Sequence, residues 1–417
     1  MDKLVPFREF VESLKHEHPT LSDSLTRRGA DGVHVLGKYR AYLLRRYEQV
    51  DVPHSFMDDA GQTIDCIPID QQPSRRARPG ERLATPPRIP TTGNPAAPAP
   101  AGVASAPSML PPALSAGGTD RHGNVRACPA GTVPIVRTTL EQLARFDNLD
   151  DFFRKAPGGG RLAGDTRPAG NRAAVTHRYA HAIQPVPNIG GASVLNIWQV
   201  PIAGDQVFSL TQQWYVAGSG AGTQTAECGL QVFPQKYNTA LPVLFIYYTS
   251  ANYADGSGCY NLDCGAFTQT NSSVVIGGLF ANVSQPGGQQ FEAKLGYICD
   301  SGTWWLYYSD QPIGYYSNSL YNGGAMTVGA ESVDFGGETV GVETFPPMGS
   351  GAFPEQGFGF ASYHRNIQYF PTSGGYADAT LFQQQPSPGC YQINVLNNSG
   401  TSWGSHFFFG GPGGAGC

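Results

Sequence analysis

From about residue 171 onward the chain is a succession of short β-rich runs, and no helical pattern comes between them. ASVLNIWQVPI, FSLTQQWYVAG, LPVLFIYYTS, GAFTQT, SVVIGGLF, QFEAKLGYI and WWLYYS are bounded by turn residues. Strands that follow one another without intervening helices point to an antiparallel all-β sandwich. Composition agrees: there are 53 Gly and 33 Pro for turns, and 20 Tyr and 22 Phe for strand surfaces. Only 14% of residues are charged, against the usual quarter or so. No internal repeat is evident.

The part before residue 171 reads differently. In residues 1–50, FREFVESLKHEH and GKYRAYLLRRYEQV carry apolar residues at three-to-four spacing among charges, as helices do. Around MDDAGQTIDCIPID the pattern turns to strand and turn, which closes a first segment at residues 1–78. Residues 79–118 are rich in Ala, Pro and Gly and have too little apolar bulk to form a core, so an extended, protease-accessible linker is expected. Residues 119–170 read as a short extended piece, a helix and a second hinge-like stretch, APGGGRLAGDTRPAG. The expected fold is therefore mainly β: an antiparallel sandwich at 171–417, preceded by a smaller mixed helix/strand domain and a Pro-rich linker.

Charge divides along the same boundary. Residues 1–170 hold 22 of the 27 Lys and Arg and 19 of the 32 Asp and Glu, and carry +3. Residues 171–417 hold 5 basic and 13 acidic residues, and carry −8. Opposite signs favour contact between the two parts. No basic patch with interleaved aromatics suggests nucleic acid, and no run of 18 apolar residues suggests a membrane span. Eight cysteines, some closely spaced, suggest disulfides and an oxidising compartment. Zinc is the weaker reading, since no pair has CxxC spacing and no His lies near Cys259 or Cys264. A secreted or periplasmic location follows, although no signal peptide is visible at Met1.

Two glutamates stand out. Between Asp205 and Asp255 the only charged residues are Glu227 and Lys236. In QTAECGLQVFP, strand alternation puts Ala226, Cys228, Leu230 and Val232 on an apolar face and Glu227 on the more polar one. In SVDFGGETVGVE, Glu338 follows two glycines that would let a ligand or another backbone approach closely. Glu331, Asp334 and Glu343 are rivals on that segment. Each glutamate also has a bland reading, a solvated outer face for Glu227 and a functionless Gly bulge for Glu338. Two carboxylates on one sheet face can share a proton or hold a water, one as base and one as acid. Such a pair works best in acid and can attack an amide or a glycosidic bond.

Other matches fail on context. GTSWG (400–404) lacks the strand–turn–helix of a nucleophile elbow. GPGGAG (411–416) has no following helix to receive a phosphate. HRYAH (177–181) has two histidines four apart but no helix or nearby acidic ligand, so no metal is expected. Cys228 beside Glu227 could be a nucleophile, but a buried or paired cysteine is the plainer reading. No cofactor is implied.

Taken in order, several segments resemble the neprosin family of glutamic-type prolyl endopeptidases. QTIDCIPIDQQP and CPAGTVPIVRTT resemble its activation region. HRYAHA, ASVLNIWQVPI, TAECGLQVFP, GCYNLDCGAF, TWWLYYSDQPIGYY, VDFGGETV and GCYQINV…FFFGGPGGAGC resemble its catalytic half. The resemblance implies an activation region in two parts (1–78 and 119–170) joined by the 79–118 linker, and a β-sandwich peptidase domain at 171–417. It implies cleavage of proline-containing peptides and proteins after proline, in acid, by two glutamates and a water. The family's glutamates map onto Glu227 and Glu338, with Phe335 where the family pattern has tryptophan. Trp304, Trp305, Tyr315 and Tyr316 are expected to line the substrate cleft, ordinary core packing being the rival reading. The resemblance also implies disulfides Cys259–Cys264 and Cys390–Cys417, with Cys66–Cys128 and Cys228–Cys299 for the remaining four. The activation segment would itself be a partner: it would cover the cleft at neutral pH and loosen in acid. A glycan-binding or glycan-hydrolysing β-sandwich, or a structural surface protein, would not need a cleavable leading segment.

Overall fold

The structure is a computed structural model that describes residues 4–89, 107–109, 118–155 and 175–417. Most of the expected linker and the stretch 156–174 lie outside the described residues.

The leading part contains helices α1 (Phe7–Ser13), α2 (Pro19–Arg27) and α3 (Gly32–Tyr47). The Asp31 side chain caps α3 by accepting from the His34 amide. Leu36, Tyr39, Leu43 and Tyr47 form the buried stripe of α3, three to four residues apart. Strands β1 (His54–Met57) and β2 (Thr63–Pro68) and helix α4 (Pro73–Ala77) follow. After β3 (Ser108–Met109) come β4 (Thr132–Val136) and helices α5 (Leu140–Leu143) and α6 (Leu149–Phe153). β1, β2 and β4 form a small antiparallel sheet, and the Cys66–Cys128 disulfide ties β2 to the segment that leads into β4.

The main body starts with β5 (Thr176–Asn196), β6 (Gln206–Ala217), β7 (Gln224–Val232), β8 (Val243–Thr249) and β9 (Gly258–Tyr260). It continues with β10 (Phe267–Gln269), β11 (Phe291–Asp300), β12 (Thr303–Tyr308) and β13 (Gln311–Tyr316). β14 (Ala330–Gly341), β15 (Thr344–Phe345) and β16 (Ser362–Pro371) come next, with shorter strands beyond. The long strand β5 serves two layers. Its first half pairs with β14, which continues into β6, β7, β8 and β9. Its second half pairs with β11, which continues into β12, β13 and β10. One antiparallel sheet therefore curls over itself, and its two inner faces enclose a core that includes Tyr215, Cys228, Ile246, Tyr297, Trp304, Leu306 and Tyr316.

A second core joins the leading part to the other face of the β5–β9 layer. Phe7, Phe10, Tyr39 and Tyr47 share it with Phe208, Leu210, Phe245, Tyr247 and Tyr260. Full burial of a ring of this size contributes roughly 1.5–3 kcal/mol, so this core gives the docking a large apolar component.

Two expectations are corrected. SVVIGGLF is not a strand: Ile276 and Leu279 make only isolated bridges, to Ile135 and Val243, because the chain turns at the Gly277–Gly278 pair between them. Cys228 and Cys299 are not bonded to each other but are free, buried thiols in the inner core. The disulfides Cys259–Cys264 and Cys390–Cys417 are present.

Candidate active site

Alternation along β7 puts Ala226, Cys228 and Leu230 in the inner core and aims Glu227 the other way. That other face is not solvated, because the leading part covers it. Glu227 is 0% exposed and Glu338 1%. On β14, Asp334, Gly336 and Glu338 share one face. Register places Glu227 across from Trp214, and Gln212 across from both Gly229 and Gly336. These two glycines keep the floor between the glutamates low. A Cβ at Gly336 (φ +153°) would meet the Ala180 carbonyl oxygen at 2.5 Å, and one at Gly229 would meet the Gln212 Cβ at 2.7 Å.

The two carboxylates flank a single cation. Lys155 Nζ donates to Glu227 Oε2 at 2.6 Å and lies 2.9 Å from Glu338 Oε2. Lys155 is the second residue after α6. The Asn148 side chain caps that helix, and Arg154 at its end turns to extended geometry. Arg154 pairs with Asp255, Tyr260 Oη donates to the Lys155 carbonyl at 2.9 Å, and the indole of Trp214 lies 5.1 Å from the ammonium. Lys236 supports the same segment: its ammonium donates to the Phe152 carbonyl and sits 3.6 Å from the centre of the Phe152 ring.

The surroundings of the two glutamates differ. Glu227 Oε1 accepts from the hydroxyls of Thr225 and Tyr253, both at 2.8 Å. Tyr253 reaches it from a tight loop in which it adopts φ 59°, a conformation uncommon outside glycine. Glu338 Oε1 contacts His177 Nδ1 at 2.5 Å and the Tyr179 hydroxyl at 3.4 Å, and its Oε2 accepts from Gln212 Nε2 at 3.2 Å. The Gln212 Oε1 atom is buried and has no partner among the described residues. Burial alone would raise the pKa of Glu338, but the Lys155 ammonium and the His177 ring outweigh it and hold the carboxyl at about 2. Burial also opposes charge on Lys155, and its two glutamate partners outweigh that and raise its pKa.

The rival carboxylates are occupied elsewhere. Asp334 meets His181 Nδ1 at 2.8 Å, and burial raises its pKa against the pull of that ring. Glu331 and Glu343 are exposed. Burial holds the Cys228 thiol neutral by raising its pKa well above the ordinary range, which removes the nucleophile reading. No cluster able to hold a metal occurs among the described residues.

The four expected cleft aromatics are not at this site. Trp304 and Tyr316 point into the inner core, with the Trp304 indole donating to the Met326 carbonyl at 2.8 Å. Trp305 and Tyr315 alternate to the outer face of the other layer, in a separate cluster. The ring beside the glutamates belongs instead to Trp214. The sequence reading missed His177, Tyr179, Gln212, Trp214, Tyr253 and Lys155. Read as a strand, HRYAH would have placed residues 177, 179 and 181 on one face. Lys155 left no signal of its own.

The family match places the chain among hydrolases of the peptidase class. Residues 205–412 match the model of the neprosin family, and the chain belongs to that family. Among solved structures, scytalido-glutamic peptidase with a transition-state-analogue inhibitor is similar at 10% identity and TM-score 0.31. SCP-B, a member of the eqolisin peptidases in complex with the tripeptide Ala-Ile-His, is similar at 7% identity and TM-score 0.30. Each match covers 57% of this chain and 100% of the other.

Proposed function

We propose that the protein is an acid-active endopeptidase that cleaves after proline, and that the described form is its latent precursor. One observation carries this reading: a lysine from the leading part fills the space between two buried glutamates of the sandwich. With Lys155 withdrawn, that space would hold a water and the scissile peptide.

Glu338 would act as base and Glu227 as acid. Glu338 keeps an imidazole partner, which can itself carry positive charge, and an amide donor, and both favour its ionised form. The remaining partners of Glu227 are two neutral hydroxyls. Ionised Glu338 takes a proton from the water as the hydroxide oxygen bonds to the carbonyl carbon. Protonated Glu227 donates a hydrogen bond to the carbonyl oxygen, where negative charge develops. The tetrahedral intermediate then collapses: the C–N bond breaks, a proton passes to the departing nitrogen, and a carboxylic acid and an amine leave. The unpartnered Gln212 Oε1 is placed to accept from the water and orient it.

Release of Lys155 requires a cut in the right place. Between residues 156 and 174 the only prolines are Pro157 and Pro168. A cut after any proline of the 90–117 stretch leaves the two halves of the leading part joined by Cys66–Cys128 and by the β2–β4 pairing. Acid would loosen the lysine, and a cut after Pro157 or Pro168 would make its departure irreversible.

Mass spectrometry of a proline-containing peptide incubated with the protein at pH 3 tests the reading. Fragments ending in proline are expected from the wild type, and none from Glu227→Gln or Glu338→Gln. Wild-type turnover in either variant would refute the paired-glutamate assignment.

A further inference from the structure

The outer face of the β11–β13 layer carries an aromatic surface that the glutamate site does not use. Ile298, Trp305, Tyr307, Tyr315 and Phe370 form a cluster separate from both main cores. The Trp305 and Tyr315 rings lie 4.8 Å apart. Five large apolar side chains grouped on an outer sheet face exceed the scattered single residues of an ordinary surface. They are all buried, with Trp305 at 1% exposure, because the chain from Glu81 to Ile89 runs over them.

The covering segment has the sequence Glu-Arg-Leu-Ala-Thr-Pro-Pro-Arg-Ile and forms no helix or strand. Ala84 and Ile89 pack on the rings. Two phenols read its backbone: Tyr315 Oη accepts from the Ala84 amide at 3.3 Å, and Tyr307 Oη donates to the Pro87 carbonyl. Ser317 Oγ donates to the Glu81 carboxylate. Among the described residues, Ile89 borders a shallow hollow lined by Ala192, Leu295, Ile298, Tyr307 and Phe370, with Lys294 and Asp310 at its edge. Aromatic rings under apolar side chains, with hydroxyls on the carbonyl and amide groups, are the physical means by which extended Pro-rich chains are bound. Such a chain has few internal hydrogen bonds and little conformational entropy left to lose.

We propose that this surface is a docking site for an extended, proline-containing polypeptide. Residues 84–89 occupy it in cis in the precursor, and a Pro-rich stretch of a polypeptide substrate would occupy it once the leading part has gone. The site lies on the opposite side of the sandwich from Glu227 and Glu338. It would therefore hold a long substrate by a part remote from the bond being cut, and would not set the residue at which cleavage occurs. The choice of substrate class rests on the proposed peptidase activity; the binding surface itself does not.

The test uses the full chain at neutral pH, where Lys155 fills the space between the glutamates. Pro86→Gly, Pro87→Gly and Ile89→Ser together weaken the cis segment. A fluorescent peptide with the sequence of residues 81–89 is then titrated by anisotropy. Saturable binding is expected, at least tenfold tighter than for the same peptide with both prolines replaced by glycine. Tyr307→Phe, which removes one hydroxyl and keeps the ring, should weaken it several-fold. Absence of saturable binding, equal affinity for the glycine peptide, or indifference to Tyr307→Phe would each overturn the proposal. Peptide cleavage is not read, so loss of the docking site and failure of the peptidase reading are distinguishable.

Discussion

The leading part of the chain covers the sandwich on two opposite faces by different physics. On the glutamate face the closing contact is one ammonium between two buried carboxylates. On the outer face it is mainly Ala84 and Ile89 on aromatic rings and phenols on the backbone, with the Glu81 carboxylate hydrogen-bonded to Ser317 at one end. The first contact responds to pH because its strength depends on ionised carboxylates. The second rests mainly on apolar and backbone contacts, so its response to pH should be smaller and confined to the Glu81 end. If the described form is the proposed precursor, acid would weaken the Lys155 contact, whereas the apolar docking of α1 and α3 would persist until the chain is cut.

The largest expected effect comes from removing either side of the latch. Glu227→Gln or Glu338→Gln should lower peptide cleavage at pH 3 by about a thousandfold, as for loss of an essential acid or base, while leaving anisotropy of the outer-face peptide unchanged. A variant that lost both would show the two faces to be one coupled unit.

The pH dependence is next. The folded-state pKa of Glu338, about 2, is depressed from its ordinary value of 4.5. Its contribution to the latch is therefore complete above about 4.5 and is lost as pH falls towards 2. Self-processing should accelerate from pH 4.5 downward and be slow at pH 7. A rate that is flat across this range would detach opening from the glutamates. Lys155→Met removes the cation that helps hold the Glu338 carboxyl low, so Glu338 takes up a proton at higher pH. Processing at pH 4.5, followed on gels, should then speed up by about tenfold, the equivalent of one pKa unit. An unchanged rate would show that Lys155 does not control opening.

A smaller effect concerns the route of release. Protein cut only within residues 90–117 should migrate as one piece on a non-reducing gel and as separate fragments after reduction, because Cys66–Cys128 spans the cut. Separation without reductant would mean that this disulfide does not hold the precursor together.

Much of the architecture was legible in the sequence because two periods rarely coincide by chance. The two-residue alternation of TAECGLQV separated Glu227 from Cys228, and the three-to-four spacing of GKYRAYLLRRY marked α3. The glutamates stood out because charge is scarce around them. What escaped was set by contacts between distant segments. Alternation sorts Trp304 from Trp305 but does not say which side becomes core, so both were expected at the cleft and neither is there. The Cys228–Cys299 pairing failed for the same reason, since both thiols point into one core without reaching each other. Lys155 lies 72 residues before Glu227 in sequence, and only the packing of α6 against the sheet brings it to the pair.

The most direct test is a mass-spectrometric reading of new N-termini after purified wild type and Glu338→Gln are incubated separately at pH 3. Gly158 or Ala169 is expected as the new N-terminus of the wild type, together with the onset of peptide cleavage, and the variant is expected to stay intact. Equal trimming of both proteins, or full activity from an uncut chain that still carries Lys155, would contradict it.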